Sequence, residues 1–339
     1  MTDAAEPTVL AAIDRGVGRI VLDRPRALNA LDLAMIRALA EALARFAADP
    51  AVRLVTIEGR GGRAFCAGGD VRAIRANTLA GDFAASEAFF AGEYGVNLAI
   101  AEFPKPFVAL IDGLSMGGGM GLSIHGSHRV VTEAAVMAMP ETAIALFPDI
   151  GASWFMPKLP DRIGIWAALT GARLGPGDCL AAGLATHFVP RDGLAALSEA
   201  LTRDGIAAMA AHARPRPPET LDAARRAAIA RCFAPDSIPA IVAALEAEAS
   251  EWAKGQLEAL RAASPTSLFV SLEVMRRNAG ASLAEALQTE LRLTRSVTRH
   301  PDFLEGVRAQ VVDKTRDPKW QPPTIEMVDP AAIQAMFRG

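Results

Sequence analysis

Hydrophobic positions near the start of the chain follow two periods, one typical of strands and one typical of helices. Two apolar runs, Val9–Asp14 and Val17–Leu22, are separated by two residues and predict a β-hairpin. Apolar residues then recur every three or four positions from Leu33 to Ala47, and Asp32 stands where it would cap the resulting helix. We therefore expect a hairpin followed by an amphipathic helix.

Two further apolar runs each lead into a glycine-rich loop. The run at 52–58 precedes a loop that ends in Gly68-Gly69-Asp70, and the run at 107–112 precedes a loop that ends in Gly117-Gly118-Gly119. A helical pattern follows each loop. This repeated order of strand, loop and helix predicts an α/β fold.

The pattern changes near residue 192, where alanine-rich helical segments replace the strands and loops. A chain of 339 residues is long enough for about two domains. We therefore predict an α/β core that carries the active site at residues 1–195 and a mainly helical region at residues 196–339.

Composition excludes several classes of function. The 35 basic and 38 acidic residues give a net charge of −3, so neither nucleic acid nor an anionic membrane surface is an expected partner. The three cysteines lie far apart and predict neither a disulfide framework nor a metal site. The first seven residues carry no targeting pattern and no apolar run is long enough to span a bilayer, which favours a cytoplasmic location.

The two glycine loops are candidates for a binding site. Amide N–H groups in such loops lack partners, and two of them aimed at one point stabilise an oxyanion. Phosphate-binding fingerprints are not matched, because the chain has no Gly-Lys pair and no G-x-G-x-x-G spacing in the second loop. Ser115 lies in a G-x-S-x-G pattern, so a serine esterase is an alternative. Each loop alone also fits a simple tight turn between strand and helix.

Two carboxylates, Glu141 and Asp149, stand eight positions apart in the apolar segment 139–151. Acids in apolar surroundings have raised pKa values and serve as general acids or bases. Both residues also stand where they could cap short helices, so a purely structural role is the alternative for each.

Taken together, these motifs resemble the crotonase (enoyl-CoA hydratase/isomerase) superfamily. The similar segments are the first glycine loop at 64–70, the second at 116–119 and the Pro140-Glu141 step. Segment 139–151 and motifs near the C-terminal end are more narrowly similar to members that hydrolyse thioesters of short 3-hydroxyacyl-CoA molecules. The similarity extends over nearly the whole chain, from about residue 9 to about residue 320.

The resemblance implies a spiral of ββα units followed by a helical C-terminal region that covers the active site. It also implies an acyl-CoA substrate, no cofactor beyond the coenzyme A of the substrate itself, and a tendency to form homo-oligomers. By residue match, Glu141 and Asp149 are the expected catalytic carboxylates. The amides of Gly69 and Gly118 are the expected oxyanion hole, and Glu93 is expected to contact the substrate together with Gly118.

One departure from the hydratase pattern bears on the reaction. Hydratases of this superfamily carry a second catalytic glutamate where this chain has Gly121. Hydration of a double bond needs two carboxylates to handle one water, so we expect hydrolysis instead. The expected substrate is 3-hydroxyisobutyryl-CoA or a similar short ester, as in valine catabolism. An enoyl-CoA hydratase or isomerase and a non-catalytic acyl-CoA binder are the alternatives with the same fold.

Overall fold

The computed structural model describes residues 7–338, and the strands of this part of the chain form two β-sheets. The strands are β1 (Val9–Asp14), β2 (Val17–Leu22), β3 (Leu54–Gly59), β4 (Ala64–Cys66), β5 (Phe107–Ile111), β6 (Leu114–Met116), β7 (His128–Val131), β8 (Val136–Ala138) and β9 (His187–Phe188). The larger sheet has the order β1-β2-β3-β5-β7-β9, and the smaller has the order β4-β6-β8. In the larger sheet β1 and β2 are antiparallel and the other pairs are parallel.

Helices follow most strands and dominate the later part of the chain. The α-helices are α1 (Leu33–Ala48), α2 (Val71–Leu79), α3 (Phe83–Ala101), α4 (Gly118–Ile124), α5 (Ala152–Phe155), α6 (Ile163–Thr170), α7 (Pro176–Ala181), α8 (Leu194–Asp204), α9 (Ala208–His212), α10 (Ala223–Cys232), α11 (Ile238–Glu248), α12 (Glu251–Ala262), α13 (Pro265–Arg277), α14 (Leu283–Val297), α15 (Pro301–Val307) and α16 (Pro330–Met336). Each helix within residues 7–338 is too short or too polar to span a lipid bilayer.

The predicted hairpin and first helix are confirmed. Val9 lies opposite Leu22 in the β1–β2 pair. α1 begins directly after Asp32, whose carboxylate accepts a hydrogen bond from Met35 N at 2.9 Å. This side-chain acceptor satisfies one of the amide donors that a helix start leaves without a partner.

The described residues divide into two compact units. Unit 1 consists of residues 7–69, Gly95–Met137 and Leu174–Thr220, and unit 2 consists of Asp70–Tyr94, Ala138–Arg173 and residues 221–338. The segments of the two units alternate along the chain. The predicted division into a core at 1–195 and a helical region at 196–339 stays a prediction.

Unit 1 contains the larger sheet and its hydrophobic core. Val108 and Val130, on the neighbouring strands β5 and β7, are fully buried. Leu197 and Leu201 of α8 pack into the same core from one stripe of their helix. Because parallel strands are covered by helices, the sheet reads as continuous apolar runs rather than as alternating ones.

Unit 2 is mainly helical. The short helix α5 packs against both α13 and α14, and α15 packs against α2. A Cβ on Gly306 in α15 would lie 2.7 Å from the backbone of Ile144, so glycine permits a close approach there. This contact places α15 against the 3-10 helix Glu141–Ile144.

Candidate active site

The two glycine loops lie against each other in unit 1. They follow the parallel strands β4 and β6 and leave the small sheet side by side. A Cβ on Gly68 would lie 3.0 Å from Met116 O and 3.5 Å from Gly118 N. Gly68 has a φ of +102°, and Gly117 has a φ of +48° with a ψ of −122°. These conformations suit glycine and are costly for residues with a side chain, so the glycines are needed for this approach.

The packing behind the loops explains the structural role of Cys66. A Cβ on Gly119 would lie 2.1 Å from Cys66 O, so α4 approaches β4 as closely as its backbone allows. The Cys66 thiol is buried and donates to Asn29 O at 3.1 Å. The buried amide of Asn29 in turn donates to Ala64 O at 2.9 Å and to Arg60 O at 3.0 Å. Cys66 is thus a packing residue beneath the loops.

The backbone amides of Gly69 and Gly118 are available as donors. Within the described part of the chain neither N–H donates a hydrogen bond. Asp70 follows Gly69 and caps α2 by accepting from Ala73 N at 3.4 Å. Two unpaired amides on adjacent loops have the chemistry of an oxyanion hole.

Glu141 is held in unit 2 at the start of the 3-10 helix. Ser264 N donates to Thr142 O at 3.0 Å, which fixes the backbone next to Glu141. The Glu141 side chain is buried, and its Oε2 has no hydrogen-bond partner among residues 7–338. Burial raises the pKa of Glu141 well above its ordinary value, and the carboxylates of Asp149 and Glu93 raise it further. A buried carboxyl with a raised affinity for protons is suited to acid–base work.

Among residues 7–338, the Asp149 side chain caps no helix. Its Oδ2 accepts a hydrogen bond from Tyr94 Oη at 2.7 Å, and both side chains are buried. Burial raises the pKa of Asp149 to about 6, while the hydrogen bond from Tyr94 opposes this increase. The pKa of Tyr94 is also raised well above its ordinary value, chiefly by burial and then by the charge of Asp149. Tyr94 is the only tyrosine of the chain, and no motif in the sequence predicted a role for it.

Glu93 lies next to Tyr94 on α3 and belongs to the same group of acids. Its side chain is 3% exposed, and its Oε1 has no hydrogen-bond partner within the described residues. Burial raises the pKa of Glu93 well above its ordinary value, and the charge of Asp149 adds to the increase. The structure thus brings Glu93, Glu141 and Asp149 together in unit 2. An unpartnered buried carboxyl oxygen costs free energy unless a ligand or water supplies a partner.

A further buried carboxyl, Glu290 on α14, was not among the predicted site residues. Glu290 Oε2 accepts from Gly151 N at 2.7 Å, and Oε1 accepts from Ser153 N at 3.1 Å and from the Ser153 hydroxyl. Burial raises the pKa of Glu290 to about 8, although the hydrogen bonds from Ser153 and Gly151 counteract burial.

Helical periodicity could have identified Glu290. The buried positions of α14 are Ala286, Leu287, Glu290, Leu293, Thr294 and Val297. Glu290 therefore occupies the centre of an apolar stripe, where an acid is rarely found without partners.

The serine-esterase alternative lacks a partner for its nucleophile. Ser115 is fully buried on β6, and among residues 7–338 its hydroxyl forms no hydrogen bond. A nucleophilic serine needs a base within hydrogen-bonding distance. Gly121 lies buried within α4, so the structure places no carboxylate at this position. The described residues contain no His, Cys, Asp and Glu cluster that could hold a metal ion.

Comparison with known proteins assigns the fold. A sequence model of the enoyl-CoA hydratase/isomerase family matches residues 17–337. The chain belongs to this family. The predicted crotonase-like α/β fold with a helical C-terminal region is therefore confirmed.

Curated relatives carry a more specific name. The chain is 41% identical to the mitochondrial 3-hydroxyisobutyryl-CoA hydrolase of Xenopus tropicalis, with 94% of this chain and 86% of the relative covered. It is 40% identical to the human mitochondrial protein of the same name, with 100% and 90% covered. It is 38% identical to 3-hydroxyisobutyryl-CoA hydrolase 1 of Arabidopsis thaliana, with 98% and 92% covered.

Two solved structures are similar over nearly the full length. One is described as a carnitinyl-CoA dehydratase from Mycobacterium thermoresistibile, with a TM-score of 0.93, 40% identity, and 97% of this chain and 96% of that chain covered. The other is described as an enoyl-CoA hydratase from Rhodobacter sphaeroides, with a TM-score of 0.91, 42% identity, and 98% and 97% covered. These two structures are thus described as a dehydratase and a hydratase, whereas the curated relatives are named as hydrolases.

The predicted cytoplasmic location is wrong by this comparison. The similar proteins of Xenopus tropicalis and human are mitochondrial. The prediction depended on the composition of the first residues, of which 1–6 lie outside the described part of the chain. A short stretch without a targeting pattern does not by itself specify a compartment.

Proposed function

We propose that the chain hydrolyses the thioester of 3-hydroxyisobutyryl-CoA and similar short 3-hydroxyacyl-CoA molecules. The observation that carries the proposal is the buried pair of Glu141 and Asp149. This pair occurs in a chain about 40% identical to relatives named for this reaction. The name of those relatives also supports a place in valine catabolism. No cofactor is required, because coenzyme A is part of the substrate.

Thioester hydrolysis needs stabilisation of the charge that develops on the carbonyl oxygen. In the proposal this oxygen accepts hydrogen bonds from the amides of Gly69 and Gly118. The glycine conformations of the adjacent loops support this role because they fix the backbone before substrate arrives. Loss of one donor from such a hole typically costs about 3–4 kcal/mol of transition-state stabilisation.

Glu141 is the proposed acid–base or nucleophilic residue. In one route its carboxylate takes a proton from water while the water oxygen attacks the carbonyl carbon. In the other route Glu141 attacks the carbonyl carbon itself, the thiolate of coenzyme A leaves, and water hydrolyses the resulting anhydride. Both routes produce the free acid and the thiol. The raised pKa of Glu141 supports either role, because a more basic carboxylate is a stronger base and nucleophile.

Asp149 and Glu93 complete the proposed site. Asp149 orients the attacking water or assists departure of the thiol, with one oxygen engaged by Tyr94 at 2.7 Å. Glu93 contacts the substrate, and its unpartnered Oε1 supports this role.

Hydration of an enoyl-CoA is the second candidate reaction. The descriptions of the two similar solved structures favour it. Gly121 argues against it, because it leaves α4 without the second carboxylate that hydration requires. Asp149 supplies a second acid from a different segment instead.

Release of free thiol from 3-hydroxyisobutyryl-CoA tests the proposal. A short enoyl-CoA is supplied to the same preparation in parallel, and its hydration is followed by loss of the conjugated double bond. We expect thiol release without hydration. Hydration without thiol release would overturn the proposal in favour of the second candidate.

Single turnover in water enriched in heavy oxygen distinguishes the two routes for Glu141. The anhydride route places some of the heavy oxygen in the Glu141 carboxylate, which mass spectrometry of the peptide detects. The general-base route places it only in the released acid.

A further inference from the structure

Glu290 is a buried carboxyl that the proposed mechanism does not use. Its side chain is fully buried on α14, in the interior of unit 2. All three donors bonded to it belong to the short segment Gly151–Ser153. This segment begins two residues after Asp149.

The backbone that follows Asp149 is in an unfavourable conformation. Ile150 has a φ of +56° and Gly151 has a φ of +82°. The left-handed region is costly for a β-branched residue such as isoleucine, by about 1–3 kcal/mol. Ala152 N donates to Asp149 O at 2.7 Å, which closes the turn. A turn of this kind persists only where surrounding contacts determine it.

The hydrogen bonds of Glu290 are contacts of this kind, because they hold the turn after Asp149 in place. One carboxyl oxygen accepts from Gly151 N and the other accepts from Ser153 N and the Ser153 hydroxyl. Asn278 Nδ2 donates to the Ser153 hydroxyl at 2.8 Å and extends the network to the end of α13. On the other side of the turn, Tyr94 holds the Asp149 carboxylate itself.

We propose that Glu290 is a positioning residue for Asp149: by binding the amides of Gly151 and Ser153 it holds the strained turn that aims the Asp149 carboxylate. The consequence for catalysis depends on the proposed function, whereas the structural effect does not. Displacement of a catalytic group by about 1 Å can cost on the order of 100-fold in rate.

Two substitutions separate the position of Glu290 from its charge. Glu290→Gln keeps the size of the side chain but turns an N–H donor toward one of the amides, so one hydrogen bond is lost. Glu290→Asp keeps the carboxyl but shortens the side chain by one methylene, so it withdraws from the amides. Asp178→Asn is the matched control, because Asp178 is also buried and accepts from a backbone N–H and a hydroxyl, those of Thr220, at 2.9 and 2.5 Å.

The kinetic test measures thiol release from 3-hydroxyisobutyryl-CoA by the whole chain. We expect both Glu290 variants to lower kcat by about 10–100-fold with KM changed less than about threefold. Asp178→Asn is expected to keep kcat within about twofold even where its melting temperature falls equally. An equal loss of kcat in the control, or an unchanged kcat in Glu290→Asp, would overturn the proposal.

A second test measures the pKa of Tyr94 and does not require enzymatic activity. Tyr94 is the only tyrosine, so the absorbance change near 295 nm on alkaline titration reports its pKa alone. We expect Glu290→Asp to lower the pKa of Tyr94, since Asp149 moves away from the hydroxyl while the carboxyl charge at position 290 is kept. If the pKa of Tyr94 changed in Glu290→Gln but not in Glu290→Asp, the change would be an effect of charge, and the positioning role would be overturned. Wild type that releases no thiol would refute the proposed function, and the Tyr94 titration would still decide the role of Glu290.

Discussion

Replacing Tyr94 with phenylalanine removes the hydroxyl that donates to Asp149 Oδ2 at 2.7 Å and keeps the aromatic ring. The lost hydrogen bond stabilises the ionised form of Asp149, so its removal must raise the pKa of this carboxyl above about 6. A hydrogen bond to a charged group contributes about 1.5–3 kcal/mol, and about 1.4 kcal/mol corresponds to one pH unit. The pKa of Asp149 should therefore increase by about 1–2 pH units.

The assay is the pH dependence of kcat for thiol release between pH 4.5 and pH 9.5. If ionised Asp149 orients the water, the acidic limb of the profile moves to higher pH in Tyr94→Phe. If protonated Asp149 assists departure of the thiol, the alkaline limb moves to higher pH. The direction of the movement is the same in both cases, and the limb that moves identifies the role of Asp149.

Thr298→Val is the control for loss of a buried hydroxyl. Thr298 lies in unit 2, and its hydroxyl donates to Thr294 O at 2.7 Å rather than to a carboxylate. This variant should leave both limbs in place. A Tyr94→Phe profile with neither limb displaced, in a protein that is folded at every pH used, would contradict the proposed role of Asp149.

Three further predictions concern ionisation, packing and stability. Alkaline titration of the native protein at 295 nm should show no Tyr94 ionisation near pH 10, whereas the protein in denaturant should ionise there; equal midpoints would contradict the burial of Tyr94. Gly119→Ala should destabilise the protein by about 1–3 kcal/mol or more, because the added Cβ would lie 2.1 Å from Cys66 O. Gly255→Ala, in the exposed part of α12, should stabilise the protein by about 0.5–1 kcal/mol, because a Cβ there meets no other atom and alanine favours the helix. Denaturant titration measures both values. The pKa of Glu93 is higher in the folded state than in the unfolded chain, so this residue lowers the free energy of unfolding as the pH rises above 4.5. The stability of Glu93→Gln relative to wild type should therefore increase by about 1.4 kcal/mol per pH unit above pH 4.5, until Glu93 ionises in the folded wild type. A difference in stability that does not change with pH would contradict this prediction.

Local patterns predicted the elements whose formation depends on neighbouring residues. The hairpin, α1 and its Asp32 cap follow from periodicity and capping, which act within a few positions. The strand expected from Val52 begins instead at Leu54, because Val52 N donates to Asp49 O in the turn that ends α1. Such differences of one or two residues arise where a turn competes with a strand for the same backbone donors.

The site was predicted less completely than the fold. The resemblance of the chain to a family predicted Glu141, Asp149 and Glu93, and the structure brings these three acids together in unit 2. Tyr94 and Glu290 were missed, since their partners are 55 and 139 residues away from them in the chain. The position of Glu290 within an apolar stripe was a signal in the sequence, but the identity of its partners depends on tertiary packing.

In the proposed function Glu141 carries out the chemistry of thioester hydrolysis. The decisive variant is Glu141→Gln, which keeps the size of the side chain and removes its capacity to accept a proton or attack the thioester. Thiol release from 3-hydroxyisobutyryl-CoA and binding of the same ester are measured on the same preparation. We expect binding close to that of wild type with a loss of kcat of at least about 100-fold, the lower range for loss of general acid–base catalysis. A Glu141→Gln variant that releases thiol at the rate of wild type would contradict this role of Glu141.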